Sequence, residues 1–207
     1  MAQEFIRAHG EEQKAVRVDQ IVDAALTLYA EIGYDKLTFS KLAKGLGFSR
    51  INLYNYFKTK EDLFLEIVRR EYDALLEDVE KSLPDNPCSR DDYIEAWTRT
   101  LSRHGRALEM LVLMNMQVMR GVSKERQDEF QSYLDDMVGK FAVRVSGCLS
   151  LNEKDAWTLV AHQINYAMGL YPIALRMHGD TVVEPFSYRY RDFLATLLDG
   201  MEVQLDR

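Results

Sequence analysis

The side chains whose types could do specific chemistry concentrate in residues 48–60, which read FSRINLYNYFKTK. This segment combines aromatic rings, two asparagines and an arginine, and it contains no acidic side chain. Guanidinium and carboxamide groups can bond the edges of DNA bases in the major groove, whereas a carboxylate there would face phosphate oxygens. The composition therefore predicts a surface that meets a nucleic acid.

Charge supports this interpretation. Residues 36–60 contain six lysines and arginines and no acid, although the chain carries a net charge of −7. Residues 1–60 sum to +2, so the acidic excess lies in residues 61–207. A basic surface on an acidic chain indicates that one end binds a polyanion. A solvated basic face is the ordinary alternative.

The spacing of these residues predicts a helix-turn-helix. A short helical run from Thr38 leads into the glycine-containing turn LAKGLGFSR, and Ser49 can cap a second helix over residues 50–57. On that helix Leu53 and Phe57 share an inner face, which we interpret as core. The outer face carries DNA-facing candidates, namely Arg50, Ile51, Asn52, Asn55 and Tyr56. Tyr54 is expected to serve both core and surface.

Catalytic and metal-binding patterns are not found in the sequence. The four histidines show no HExxH spacing, no serine lies in a GxSxG elbow, and the GLG at residues 45–47 is not a GxGxxG motif. Cys88 and Cys148 have no metal-like or redox-like spacing, so we expect both to be reduced in a cytoplasmic protein. We therefore predict a protein that is not an enzyme and has no metal or cofactor.

No apolar run approaches the roughly 18 residues of a membrane span, and the N-terminus lacks the apolar centre of a signal peptide.

Helical periodicity extends over almost the whole chain. Apolar residues recur at helical spacing, glycines and prolines separate the segments, and no convincing alternating strand appears. We predict an all-α fold of about nine helices. A three-helix unit over residues 1–58 would carry the helix-turn-helix, and residues 59–207 would form a larger helical body. The helix that starts at Thr59, with Asp62 in a capping box, would lead from one into the other.

The run LTFSKLAKGLGFSRINLYNYFKTKEDLF, residues 37–64, closely resembles the DNA-binding signature of the tetracycline-repressor (TetR) family of bacterial transcriptional regulators. The resemblance covers about residues 16–64. The matching positions are Gly33-Tyr34, Thr38, Leu42-Ala43, Gly47-Phe48-Ser49, Leu53-Tyr54, Tyr56-Phe57, Lys60 and Leu63.

The resemblance implies roles for individual residues. It places Arg50, Asn52, Asn55 and Tyr56 against bases or phosphates. Phosphate-facing positions are Thr38, Tyr54 and Lys60. Position 51 is commonly small in the family and is Ile51 here, so the resemblance does not define the base readout. The full set of candidate DNA-binding residues is Thr38, Ser49, Arg50, Ile51, Asn52, Tyr54, Asn55, Tyr56 and Lys60.

The resemblance also implies a body that dimerises through its last two helices and encloses a small-molecule pocket. The apolar segment at residues 158–177 and an apolar stripe over residues 186–201 suit a two-fold four-helix interface. The candidate ligand-binding residues are Trp97, His104, Met110, Met114, Tyr133, Gln163 and Tyr166. For any one of them a core role is the simpler interpretation. The expected effector is a small apolar or aromatic molecule, which could also be cationic.

These expectations combine into one functional prediction. We expect a homodimeric repressor that binds a double-stranded DNA operator with two-fold symmetry and is released by a small molecule. The alternative is a DNA-binding or protein-interaction factor of the same fold with no effector, and a helical enzyme is the remaining class. In the first case, a ligand near Trp97, Met114 and Tyr166 would tilt the helix that starts at Thr59.

Overall fold

A computed structural model describes residues 2–83 and 87–205, with side chains described within residues 12–83, 87–179 and 181–201. Over these residues the chain forms nine α-helices and two short 3-10 turns, with no strand. The predicted all-α fold is confirmed. The helices are α1 (Ala2–Lys36), α2 (Phe39–Leu46), α3 (Arg50–Tyr54), α4 (Lys60–Ser82), α5 (Arg90–Arg103), α6 (Gly105–Met116), α7 (Lys124–Leu149), α8 (Glu153–His178) and α9 (Val183–Leu205).

Local sequence signals set the ends of the first helices. Gly33 has φ 75° and ψ 169°, so regular helical geometry in α1 is interrupted there. The Thr38 side chain accepts a hydrogen bond from the Lys41 amide and caps α2. Gly47 closes α2 with φ 67°, in the left-handed region that glycine adopts at little cost.

Helix α3 is shorter than the predicted helix over residues 50–57, because it ends at Tyr54. A tight turn follows, in which the Phe57 amide donates to the Leu53 carbonyl at 3.0 Å. This bond keeps Phe57 one turn beyond Leu53, and both side chains are buried. The predicted inner face is therefore correct, although the predicted helix end is wrong.

Helix α4 begins with the predicted capping box. The Asp62 amide donates to the Thr59 hydroxyl at 3.0 Å, and the Thr59 amide donates to the Asp62 carboxylate at 3.2 Å. The chain divides into two compact units, residues 1–67 and 68–207, and the division falls inside α4. The predicted domain boundary between residues 58 and 59 stays a prediction.

The second unit is a helical body in which α8 packs against α6, α7 and α9, and α5 packs against α7 and α9. Helix α6 ends at Met116, and a 3-10 turn covers Val118–Gly121. Large aromatic side chains fill the core of this body, and the largest that are fully buried are Tyr72, Tyr93, Trp97, Phe130, Phe141, Phe186 and Tyr190.

The two cysteines form a disulfide, so the expectation that both are reduced is wrong. Cys88 precedes α5, and Cys148 lies in the last turn of α7. The Cys88 amide also donates to the Cys148 carbonyl at 2.8 Å, which brings the two segments together through the backbone. The disulfide closes a loop between positions 60 residues apart in the sequence, and this spacing is not that of a recognisable motif.

We expect loss of this disulfide to destabilise the body, because the cross-link restricts the unfolded chain. For a loop of this length, reduction is expected to lower the free energy of unfolding by about 2–4 kcal/mol. Guanidinium denaturation with and without a phosphine reductant measures the difference. The Cys88→Ser variant is the control, since its denaturation midpoint should not respond to the reductant. Equal midpoints for the oxidised and reduced wild-type protein contradict the prediction.

Candidate nucleic-acid interface

The outer face of α3 is open to solvent. The side chains of Arg50, Asn52 and Asn55 are exposed, and Ile51 is 76% exposed. Ser49 caps the helix by accepting a hydrogen bond from the Asn52 amide at 3.2 Å. An isoleucine so exposed contributes little to the stability of the fold, and its position suits contact with another molecule.

The inner face of α3 is anchored in the core of the first unit. Leu53 is fully buried, and Phe57 is buried beside it. The Tyr54 ring lies edge-on to the Phe39 ring of α2, with 5.2 Å between the ring centroids. Tyr54 thus has the mixed role that the sequence predicts, because its ring packs on α2 while the side chain stays 43% exposed.

Tyr54 also holds Arg50 in position. An Arg50 guanidinium nitrogen, Nη2, donates to the Tyr54 hydroxyl at 2.7 Å, and the guanidinium carbon lies 5.3 Å from the centroid of the Tyr54 ring. A guanidinium has five N–H donors, so this bond leaves others for an acceptor outside the protein. The arrangement restricts the rotamers of Arg50 before any partner binds, which lowers the entropy cost of binding.

The residues predicted to face phosphates line one shallow depression. Its walls include Thr38, Arg50, Tyr54, Lys58 and Lys60. Asp35 also contributes to this depression, so the surface is not wholly free of acids. Tyr56 lies half-buried in the turn after α3. The structure thus groups the predicted residues on one unit, and their individual DNA contacts stay predictions.

Lys60 has a structural role that sequence reasoning missed. Its Nζ donates to the Tyr34 carbonyl at 3.1 Å and lies 3.8 Å from the centroid of the Tyr34 ring. The Tyr34 hydroxyl in turn donates to the Glu61 carboxylate at 3.0 Å. Burial, followed by the Glu61 hydrogen bond, raises the pKa of Tyr34 well above its usual value, so the hydroxyl stays protonated. We call this set the Tyr34 clamp (Tyr34, Lys60 and Glu61), and it ties the end of α1 to the start of α4.

The candidate ligand-binding residues of the body do not all lie together. The Tyr93 hydroxyl donates to Oε1 of Gln163 at 2.8 Å, and the Tyr93 ring stacks on Trp97. Met110 and Met114 are buried. Tyr166 lies half-buried with its ring 3.7 Å from that of Phe193.

The side chains of two other candidates, His104 and Tyr133, contact polar groups of α4. His104 Nε2 lies 3.1 Å from an Asp78 carboxylate oxygen. The Tyr133 hydroxyl donates to the Asp73 carboxylate at 2.9 Å and lies 3.1 Å from the Arg69 carbonyl oxygen. These contacts account for both polar groups within the fold. Trp97 and Gln163 are close because both contact Tyr93, and the Tyr166 ring lies 6.4 Å from that of Tyr190. Tyr190, which sequence reasoning did not select, joins them from α9.

The residues that the structure describes contain neither a metal-binding cluster nor a membrane-spanning helix. No cluster of three or more histidine, cysteine or acidic side chains is placed to hold a metal ion. Among the helices described, none combines the length and apolar character that crossing a membrane requires.

Two protein-family models match the chain. The model described as "Bacterial regulatory proteins, tetR family" matches residues 21–67, and "Tetracyclin repressor-like, C-terminal domain" matches residues 69–204. The first match contains the helix-turn-helix, and the second covers most of the body. Together they confirm the resemblance drawn from the sequence.

Characterised relatives align with part of the chain. The chain is 31% identical over 80 residues to a fatty acid metabolism regulator protein of Bacillus subtilis. These 80 residues are 39% of this chain and 41% of that protein. The chain is 35% identical over 65 residues to an HTH-type transcriptional repressor of Mycobacterium tuberculosis, or 31% of this chain and 35% of that protein. The aligned segment thus spans less than half the length of these relatives.

Solved structures share the fold over most of the chain. A transcriptional regulator from Rhodococcus superposes with a TM-score of 0.67 at 16% identity, covering 88% of this chain and 96% of that one. The regulator FadR of Bacillus subtilis, in complex with stearoyl-CoA, superposes with a TM-score of 0.59 at 21% identity, covering 84% of this chain and 96% of that one. At these identities the likeness shows a common fold.

The Tyr34 clamp yields a stability prediction. Lys60→Met removes a charged hydrogen bond and a cation–π contact, and we expect it to lower the local stability of the first unit by about 1–2 kcal/mol. Hydrogen–deuterium exchange of peptides within residues 21–67 should then lose about 5–30-fold in protection. Lys58→Met is the matched control, because Lys58 is exposed in the same depression. Equal protection in the two variants rules out a structural role for Lys60.

Proposed function

Since the chain belongs to the tetR family of bacterial regulatory proteins, we propose that it is a homodimeric repressor released from its operator by a small molecule. Its membership makes the chain a DNA-binding transcriptional regulator rather than an enzyme. The repressor role, the dimer, the two-fold operator and the effector are the proposal. Cytoplasmic localisation is part of the same proposal, because a repressor acts where the bacterial DNA is.

The observation that carries the DNA contact is the acid-free outer face of α3. Arg50 can bond a guanine edge through two N–H groups, and Asn52 or Asn55 can pair with adenine. Ile51, which projects into solvent, can contact a thymine methyl group. A five-residue helix presents few side chains, so these residues are the ones that can read base edges.

Phosphates would bind around this face. Thr38 caps α2, whose first turn contains no acidic residue, so the partial positive charge of the helix N-terminus is not neutralised there. Lys58 and the hydroxyl of Tyr54 lie in the same depression and can donate to phosphate oxygens. Such contacts hold the register of α3 on the DNA and contribute little sequence preference.

The proposed dimer forms through the last two helices, about residues 155–177 and 185–205. Exposed side chains follow one face of α8 at intervals of three and four residues, and these are His162, Asn165, Gly169, Ile173 and Met177. A Cβ added at Gly169 would meet no atom within 4 Å, so a second helix can approach closely there. Tyr188 of α9 is 75% exposed and extends the apolar surface. A symmetric pair of such surfaces buries these groups and presents two equivalent copies of α3.

The effector is proposed from the body and from relatives. Buried aromatic and methionine side chains suit an apolar molecule. One relative is named for fatty acid metabolism, and one structural neighbour is a complex with stearoyl-CoA. Long-chain acyl compounds are therefore the first class to test. A factor of the same fold without an effector is the alternative.

Arg50 should contribute specificity. Arg50→Ala is expected to weaken binding to the selected operator by about 1–3 kcal/mol and to relax the preference at one base pair, because a bidentate base contact is lost. Fluorescence anisotropy with operator and with single-base variants measures both effects. Lys58→Ala is the control, since loss of a phosphate contact should weaken all sequences alike and reduce the salt slope by about 0.9. If Arg50→Ala has no effect on operator affinity, α3 does not read DNA as proposed.

Effector and operator should oppose each other. Saturation with stearoyl-CoA or a shorter acyl-CoA is expected to weaken operator binding about 5–150-fold, a coupling of roughly 1–3 kcal/mol that acts in both directions. Anisotropy titrations with and without the acyl-CoA measure it, with coenzyme A alone as control. A compound that binds the body tightly and leaves operator affinity unchanged favours the alternative without an effector.

A further inference from the structure

Three buried side chains of the body have hydrogen-bond donors without a protein acceptor. They are Trp97 of α5, Gln163 of α8 and Tyr190 of α9, and we call them the donor cluster. Each is at most 1% exposed. The Trp97 indole Nε1, the Gln163 amide Nε2 and the Tyr190 hydroxyl make no hydrogen bond in this structure. Buried polar groups in folded proteins nearly always have a partner, so three in one place need an explanation.

Their contacts show that the three residues are neighbours. The Tyr93 ring stacks on Trp97 with 6.1 Å between centroids, and the Tyr93 hydroxyl donates to Gln163. Burial and the nearby Tyr93 hydroxyl raise the pKa of Tyr190 well above its usual value. The Trp97 indole N–H faces the Tyr190 oxygen and opposes this rise, although the two atoms do not reach hydrogen-bond geometry. The Tyr190 hydroxyl therefore remains protonated and remains a donor.

The chemistry of the cluster selects its partner. All three residues are uncharged, and the carbonyl oxygen among them, Oε1 of Gln163, already receives the Tyr93 hydroxyl. The groups without partners are thus N–H and O–H donors, and an oxygen acceptor can bond to them. An ammonium group would bury a positive charge with no anion among these residues, which is costly in an apolar interior. A carboxylate would bury a negative charge with no cation among these residues, which is costly in an apolar interior.

We propose that the donor cluster binds the uncharged carbonyl oxygen of the effector, that of an acyl ester or thioester. This inference rests on the proposed function, and it names the chemical class of the ligand and the residues that recognise it. The cationic ligand considered from the sequence does not suit this site.

Apolar side chains next to the cluster can accept the rest of the ligand. The Phe141 ring lies edge-on to Trp97 at 5.5 Å between centroids. Phe186 stacks on Tyr190 at 5.4 Å. Met137 is buried one turn before Phe141 on the same face of α7, and an unbranched thioether side chain repacks more readily than a branched one. The acyl chain would extend among these groups.

Trp97 provides a direct reporter. The chain has two tryptophans, and Trp157 is 44% exposed, so Trp157→Phe leaves Trp97 as the single indole. Four probes separate the possible ligand chemistries: methyl decanoate, decanoate, decylammonium and coenzyme A alone. Methyl decanoate is expected to shift the Trp97 emission with saturable binding. Decanoate is expected to bind more weakly, and decylammonium and coenzyme A are expected to leave the emission unchanged.

A matched pair of variants tests the site. Tyr190→Phe removes one donor, and we expect about tenfold weaker binding of methyl decanoate, with an unchanged or higher melting temperature without ligand, because an unpartnered buried hydroxyl is lost. Tyr72→Phe removes another buried hydroxyl without a partner, on α4 and outside the donor cluster, and should leave the affinity for methyl decanoate unchanged. A residue with only a packing role would not show weaker ligand binding together with retained stability.

Three results overturn the proposal. The first is equal affinity of Tyr190→Phe and wild type, and the second is stronger binding of decylammonium than of the ester. The third is that no probe changes Trp97 emission, in which case bound water is the partner of the donors. Operator anisotropy in parallel separates this inference from the proposed function. A probe that releases operator equally from both variants overturns the site and keeps the function. A probe whose binding is lost in Tyr190→Phe but which leaves operator binding unchanged supports the site and overturns effector release.

Discussion

The DNA-facing surface depends on the burial of two side chains behind it. Helix α3 has five residues, and a helix so short is unstable in water without tertiary contacts, since a few backbone hydrogen bonds do not offset the cost of nucleation. Leu53 and Phe57 supply those contacts, and the Ser49 and Thr38 caps define where α3 and α2 begin. Because the inner face is fully occupied by packing, the outer face is free to carry arginine, asparagine and an exposed isoleucine.

The same logic explains which features could be predicted from the sequence. Caps, glycine turns and helical periodicity are local, so the sequence correctly predicts the Ser49 cap, the Thr59–Asp62 capping box and the inner position of Leu53 and Phe57. The end of α3 was missed because a turn with an α-like backbone bond continues the periodicity beyond Tyr54. The structural role of Lys60 was missed because a lysine in a basic segment also suits phosphate contact.

Contacts between distant positions escaped prediction. The Cys88–Cys148 disulfide joins the start of α5 to the end of α7, and nothing near either cysteine indicates the pairing. The sequence places Tyr190 in an apolar stripe, which its buried ring supports, but its hydroxyl lies near Tyr93 and Trp97 only because α5 and α9 pack together. In this body the groups that could recognise a ligand reduce the stability of the ligand-free fold, since their donors lack partners.

Hydrogen–deuterium exchange of the full chain with and without its selected operator tests the central claim, that the outer face of α3 is the DNA interface. The account predicts that operator slows exchange most in peptides covering residues 38–60, and that scrambled DNA of equal length gives weaker protection that disappears at higher salt. Protection concentrated in α5 to α7, with none in residues 38–60, would contradict it.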